Sequence, residues 1–371
     1  IAVAMTKTIG IIGGGQLGMM IAQAAAQMGV GCICLDPSED APAASVCKRH
    51  IVAAFDDMAA LDELCRASDV VTYEFENVPA EILRTLDDKY HIKQGIAPLC
   101  DSQDRLREKT RAVESGLECP RFADITDIDS LRLNAEAFGY PCVLKTRRLG
   151  YDGHGQKVIR SRDDIADAAA MLSVPCILEE FVRYDYETSV IMVGDQQCGY
   201  IHFPIGRNIH TGGILDLSVV PAPGMDDDMR RRLAEGSEAF MRHNGYRGIM
   251  AIEYFVCGGR FLFNEMAPRP HNSGHYTIEG CSTSQYRELC RYLLGLPLEE
   301  PQLKAPAVMK NILGQDLDSA VGIAAERHPD TFVHLYGKSE SRPKRKMGHI
   351  TFVDCDIERY DAQWRDKFVK Q

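Results

Sequence analysis

Short apolar runs separated by amphipathic stretches set the frame of this chain. Thr8–Ile12 is one run, an Ala/Met-rich stretch at helical spacing reaches about Met28, and Val30–Leu35 is a second run ending at Asp36. The order is strand, glycine turn, helix, strand. Two further βα units follow, with Asp57–Ala67 a helix and Val70–Phe75 a strand, and Pro98 closes this part near residue 100. Asp101–Ser115 reads as one charged helix, and Pro120-Arg121 opens a small mixed segment with a strand at Cys142–Lys145. Pro175–Phe181 is a strand, with Tyr186–Val193 expected to return as its partner. Cys198–Ile209 and Leu217–Val220 are further strands, His210 falls in a glycine-bearing turn, and Met225–His243 is an amphipathic helix. Ile249–Val256 and Arg260–Met266 flank Cys257-Gly258-Gly259 as an antiparallel hairpin. Ser284–Leu294 is a helix, and the Pro-rich stretch Leu296–Pro306 leads into a small third domain. The pattern is that of a mixed α/β chain divided at 1–100, 101–295 and 296–371.

Composition narrows the class. The 371 residues are 45% hydrophobic and 26% charged, as in an ordinary soluble protein. No apolar run reaches membrane-spanning length, and the net charge of -11 disfavours nucleic acid as the main partner. Thirteen scattered cysteines, without C-x-x-C pairs, point to a reducing cytosol rather than a disulfide framework or a zinc site. Met5 is the expected start, with Ile1–Ala4 a remnant ahead of it.

The hairpin holds the sharpest chemistry. If its loop has an odd number of residues, Glu253 and Glu265 share one face as cross-strand neighbours. Two carboxylates so close repel unless a cation lies between them or one is protonated. Mg²⁺ with phosphate oxygens satisfies that need; the plain alternative is a pair facing water. Gly13, Gly15 and Gly18 form G-x-G-x-x-G, with Asp36 where a dinucleotide fold carries its ribose-binding acid. NAD(P) and some other crevice ligand both fit. Glu74 and Glu76 end a parallel strand, pointing either to the ligand crevice or to a helix cap. The charged helix with Asp104, Arg105, Arg107 and Lys109 reads as solvated. Lys145, on a strand before Gly150, Gly153 and Gly155, supplies a fixed cation beside a loop suited to covering polyphosphate, although no Walker motif follows. Glu179-Glu180-Phe181-Val182 suits a hinge between lobes with backbone free to pair with adenine. Arg269, His271, Asn272 and Ser273 suit recognition of a polar small molecule. Lys338–Lys346 is a basic run in an acidic chain, either a solvated loop or a phosphate site.

Taken together, the lysine strand with its glycine loop, the E-E-x-x hinge and the Glu253…Asn264-Glu265 set resemble an ATP-grasp ligase. More narrowly, Tyr73–Pro79, Lys145–Arg148 with Gly150–Gly153, and Ala267–His275 resemble the N5-carboxyaminoimidazole ribonucleotide synthetases, from Gly13 to about Asp354. The resemblance implies a Rossmann-like N-terminal domain, an ATP-grasp core with a mobile small lobe at about 120–182, and a C-terminal domain. It implies ATP-dependent carboxylation of 5-aminoimidazole ribonucleotide with bicarbonate, through carboxyphosphate, in de novo purine synthesis in the cytoplasm. ATP contacts carry over to Arg105, Lys145, Gly150, Tyr151, Asp152, Gly153, His154, Gly155, Gln156, Glu179, Glu180, Phe181, Val182, Glu187, His210, Asn264 and Glu265. Metal, Mg²⁺ or Mn²⁺, carries over to Glu253 and Glu265. The ribonucleotide carries over to Glu76, Tyr151, Asp152, Arg269, His271, Asn272, Ser273, Lys338 and Arg345. Lys145, Asp152, Glu76 and His154 are the implied catalytic groups, and a homodimer the implied assembly, with neither nucleic acid nor membrane as a partner. Two positions depart from the pattern. Leu149 replaces the first of two glycines, and His154 stands where Arg or Lys is common, which weakens a cation near neutral pH. Outside this resemblance stand an NAD(P) oxidoreductase and a non-catalytic nucleotide-binding module. Inside the ATP-grasp class stand formate-dependent glycinamide ribonucleotide transformylase and biotin carboxylase.

Overall fold

The computed structural model describes residues 7–149, 155–326 and 328–368. Three sheets organise them. Strands β1 (Thr8–Ile12), β2 (Gly31–Asp36), β3 (Arg49–Val52) and β4 (Val70–Tyr73) form a parallel sheet in the order β3-β2-β1-β4. β1 and β2 are nearly all buried, as continuous apolar runs under helices require. The reversal of strand order at β1 opens a crevice at the carboxyl ends, where the glycine turn and Glu74 sit. Strands β5 (Phe122–Ile125), β6 (Cys142–Thr146), β7 (Gln156–Ile159) and β8 (Cys176–Glu180) form a small antiparallel sheet, β5-β8-β6-β7, around its own apolar cluster.

The third sheet is the largest. It contains β9 (Tyr186–Asp195), β10 (Gly199–His202), β11 (Gly206–Thr211), β12 (Ile214–Val220), β13 (Gly248–Cys257), β14 (Arg260–Ala267), β15 (Ala307–Leu313), β16 (Thr331–Leu335) and β17 (Lys346–Val353). Their order is β14-β13-β9-β11-β12-β15-β17-β16, with β10 on β9. The C-terminal strands therefore extend the central ladder through β12 and β15 rather than building a sheet of their own.

Three expectations need correction. Tyr186–Val193 does not pair with Pro175–Phe181: β8 bonds to β5 and β6, and the chain crosses through exposed Phe181, Arg183, Tyr184 and Asp185 to β9 in the other sheet. Two neighbouring apolar runs look like a hairpin in sequence, yet here they belong to different cores. The charged stretch 101–115 is two helices, Ala97–Ser102 and Arg105–Glu114, divided where the Asp104 side chain accepts from the Leu106 amide as an N-cap. His210 lies in β11, ahead of the turn rather than in it.

Candidate active site

The hairpin brings its two acids together by a different route from the one its loop length suggests. Cys257 pairs with Arg260, so the turn is the two residues Gly258-Gly259, at φ 56° and 80°. Both positive angles favour glycine and make a tight two-residue reversal. An even loop would set Glu253 opposite Asn264 and turn Glu265 to the other face. A β-bulge intervenes: Tyr254 pairs with Phe263, the register shifts, and Glu253 pairs with Glu265. Asn264 is the extra residue. The main-chain groups beside it are taken up by the helix Arg105–Glu114, where Lys109 Nζ donates to the Asn264 carbonyl at 2.9 Å and Glu108 Oε1 accepts from the Met266 amide at 2.5 Å. The supposedly solvated helix thus carries Glu108 and Lys109 at 2% and 1% exposure, which corrects that reading.

Burial raises the carboxyl of Glu265, and Glu253 across the ladder raises it further. Glu253 suffers the same burial, but His271, His210 and Arg269 more than offset it and hold its carboxyl low. Two acids facing each other and pushed apart in this way have the electrostatics of a cation site. Among the described residues, the group whose ligand atoms lie mutually within 4.8 Å is Glu187, His210 and Glu253. There the His210 ring is already ion-paired to Glu187. The oxygen pair Glu253/Glu265 suits a hard cation such as Mg²⁺, whereas the imidazole-bearing group suits a softer metal.

Next to this row, Lys145 Nζ lies 2.9 Å from Glu179 Oε2, and Lys109 lies 3.5 Å from the same oxygen. Arg105 opens its helix, with Nη1 donating to the Thr146 carbonyl at 3.0 Å. Glu180 anchors Arg121 at 2.7 Å, while Phe181 is exposed and Val182 half-buried in the crossover. Gly155 and Gln156 lead into β7; Gly150, Tyr151, Asp152, Gly153 and His154 lie outside the described residues. Leu149, just ahead of them, is 78% exposed at φ 60°.

The loop after β14 faces the N-terminal sheet. Arg269 Nε pairs with Glu76 at 2.8 Å, and His271 Nε2 with Glu253 at 2.9 Å. Gln94 donates to the Pro268 carbonyl at 2.5 Å and accepts from Thr72, which fixes the loop to the first domain. Both amide atoms of Asn272 are buried without a hydrogen-bond partner, and Ser273 is buried beside them. Lys338 Nζ donates to the Lys346 carbonyl at 2.8 Å, and burial, then Arg345 and Lys346, pull its ammonium down to about 8. Arg345 bonds the Glu340 carbonyl, and Ser339 bonds Asp40 of the N-terminal sheet's crevice. The basic run is therefore seated against the first domain, with Lys338 within electrostatic reach of Glu74.

The glycine turn is closed by its own chain. The Gly14 amide donates to Asp36 at 2.8 Å and the Gly15 amide to Glu74 at 2.7 Å. A pyrophosphate would have to displace two carboxylates, so the dinucleotide reading loses its anion site. Asp104, Glu108 and Lys109 are the participants that sequence reasoning left in solvent. Their one signal was a helix with charges on every face and no apolar stripe, which must find polar partners if it is to pack.

The comparisons agree with this layout. Residues 5–101 match the ribonucleotide synthetase preATP-grasp domain, 110–286 the ATP-grasp domain, and 307–363 the phosphoribosylaminoimidazole carboxylase C-terminal domain. The N5-carboxyaminoimidazole ribonucleotide synthase of Staphylococcus haemolyticus is 40% identical over 364 residues, 97% of this chain and 96% of that one. That of Brucella melitensis is 42% identical over 351 residues, 94% and 96% of the two chains. The N5-carboxyaminoimidazole synthetase of Staphylococcus aureus complexed with ADP superposes with a TM-score of 0.93 at 38% identity, covering 98% of this chain and 97% of that one. The Aspergillus clavatus enzyme, in complex with ADP and 5-aminoimidazole ribonucleotide, gives 0.90 at 26%, covering 98% of each.

Proposed function

This chain belongs to the N5-carboxyaminoimidazole ribonucleotide synthases of the ATP-grasp superfamily, and from that premise we propose how its own residues carry the reaction. It is an ATP-dependent ligase of purine biosynthesis that forms N5-carboxyaminoimidazole ribonucleotide. Bicarbonate is the carboxyl donor in our reading. It is a poor electrophile, so ATP must first convert it to carboxyphosphate, with release of ADP.

Lys145 and Arg105 offset charge on the transferring phosphoryl group, and Glu179 keeps the Lys145 ammonium aimed. Glu253 and Glu265 hold Mg²⁺, or Mn²⁺ in its place, which when bound neutralises phosphate oxygens. The hinge Glu179–Val182 receives adenine, and Glu187 with His210 borders the nucleotide. Residues 150–156 cover the short-lived intermediate and keep water away. Arg269, His271, Asn272 and Ser273 bind the ribonucleotide, the Asn272 amide gaining the partners it lacks. Lys338 and Arg345 take the 5-phosphate as charge-assisted donors. Glu76, held by Arg269, or Asp152 orients the exocyclic amine and accepts its proton, leaving phosphate as the second product. We place the enzyme in the cytoplasm, and as a homodimer.

One observation supports this reading above the others: Glu265 feels the charges of Glu253, Arg105, Lys145 and Glu76, so groups assigned to the metal, to ATP and to the ribonucleotide lie within electrostatic reach of one carboxylate. Phosphate release should require 5-aminoimidazole ribonucleotide and bicarbonate together with ATP. Release unaffected by omitting the ribonucleotide would overturn the assignment.

A further inference from the structure

We propose that Ser273, Ser189, Asn208 and Ser218 are positioning residues that decide which ring nitrogen of His271 carries the proton. They form one buried hydrogen-bond chain. Ser218 Oγ lies 2.9 Å from Asn208 Oδ1, Asn208 Nδ2 3.1 Å from Ser189 Oγ, and Ser189 Oγ 2.7 Å from Ser273 Oγ. Ser273 Oγ is in turn 2.7 Å from His271 Nδ1. The four are between 0% and 6% exposed, so no solvent competes for these bonds. Strand register assembles them, because Asn208 pairs with Ser218 across β11 and β12, and Glu253 with Ser189 across β13 and β9.

The chain has a direction. An amide oxygen only accepts and an amide nitrogen only donates. Ser218 therefore gives its proton to Asn208, and Asn208 gives one to Ser189. Ser189, already an acceptor, donates to Ser273, and Ser273 donates to His271 Nδ1. The Ser273 amide points at the same Nδ1 from 3.3 Å. Turning the Asn208 amide over would reverse every hydroxyl and place a proton on Nδ1, facing that N–H. The forward direction avoids the clash. Nδ1 is thus the acceptor, and Nε2–H donates to Glu253 across 2.9 Å. The opposite tautomer would turn a bare lone pair toward a carboxylate.

This deepens the assignment of His271 to the ribonucleotide site and rests on it, but its test reads the proton directly. The full-length protein, labelled with ¹⁵N-histidine, is recorded across an alkaline pH series; His271 is identified by its loss in His271→Asn. We expect a pyridine-type Nδ1 and a pyrrole-type Nε2. Asn208→Asp removes the amide donor and draws the Ser189 proton outward, so His271 should move toward the Nδ1–H form and kcat should fall roughly ten- to a hundredfold, the usual cost of losing a supporting partner. Ser218→Ala removes the hydroxyl that holds Asn208 Oδ1 and should weaken the preference, giving a mixture of the two tautomers. A wild-type ring with its proton on Nδ1 would overturn the proposal, whether or not Asn208→Asp folds. So would a folded Asn208→Asp with an unchanged tautomer. A protein with the expected tautomer but no ligase activity would count against the proposed function alone.

Discussion

The ammonium of Lys109 lies 2.9 Å from the carbonyl of Asn264, the one residue of the hairpin left without a partner across the ladder. Lys109 is 1% exposed and also meets Glu179. Removing one member of a buried ion pair costs about 3–5 kcal/mol. Lys109→Met should therefore lower the unfolding free energy by roughly that amount and raise the Mg²⁺ concentration needed for turnover. Urea denaturation and activity at limiting Mg²⁺ measure the two effects. Deleting Asn264 should remove the bulge yet leave Glu265 opposite Glu253 in a regular ladder, so any loss of turnover should follow the lost Lys109 contact and be milder than that of replacing either acid.

Glu253→Gln and Glu265→Gln should each lower turnover on the order of 10²-fold or more, the scale of losing one preorganised electrostatic contact. Added Mg²⁺ should restore part of it. Near-normal rates for both variants at limiting Mg²⁺ would remove these residues from the metal site.

Lys338→Ala or Arg345→Ala should raise the KM for the ribonucleotide about ten- to a hundredfold, since a charge-assisted hydrogen bond is worth roughly 1.5–3 kcal/mol. The KM for ATP should hardly change. Lys344 is exposed, with its backbone amide bonded to Gln315, and Lys344→Ala should be nearly silent. Equal effects from all three would mean the phosphate is held elsewhere.

Glu74 gives the chain a pH signature. Burial pushes its carboxyl up to about 7, although the Gly15 amide pulls the other way. A carboxyl raised on folding contributes stability that is fully present below its unfolded value of about 4.3 and lost as pH rises through 7. Glu74→Gln cannot ionise, so its stability relative to the native chain should improve between about pH 4.5 and pH 7.5 and level off above. Urea midpoints of both proteins across that range provide the check, and parallel curves would mean Glu74 titrates normally.

Leu149 sits at φ 60° with 78% of its surface exposed. A non-glycine residue in that conformation costs roughly 1–2 kcal/mol, part of which glycine gives back through its greater freedom in the unfolded chain. Leu149→Gly should thus raise the melting temperature slightly, read by calorimetry. A clear fall would show that the leucine side chain is held by something on the surface.

Elements with strong local signals were legible. Asp57 caps the helix Met58–Arg66 by accepting from Ala59 and Ala60, and Ser284 caps Gln285–Leu294, both at the boundaries that the apolar pattern indicates. What escaped depends on partners distant in sequence. Arg49–Val52 becomes a strand because β2 offers it an edge, not because Arg-His-Ile-Val favours one. The pairing of Glu253 with Glu265 was anticipated from an odd loop and is delivered by an even loop plus a bulge. Lys109 and Glu108 looked solvated because nothing near them in sequence shows the frayed main chain that they serve.

The placement of β15 beside β12 has a consequence for how the C-terminal segment can move. Glu253 lies on β13, and in our reading the phosphate donors Lys338 and Arg345 lie between β16 and β17. Both ends therefore belong to one continuous ladder of main-chain hydrogen bonds, which barely stretches. The basic run cannot swing away as an independent flap without breaking strand pairs.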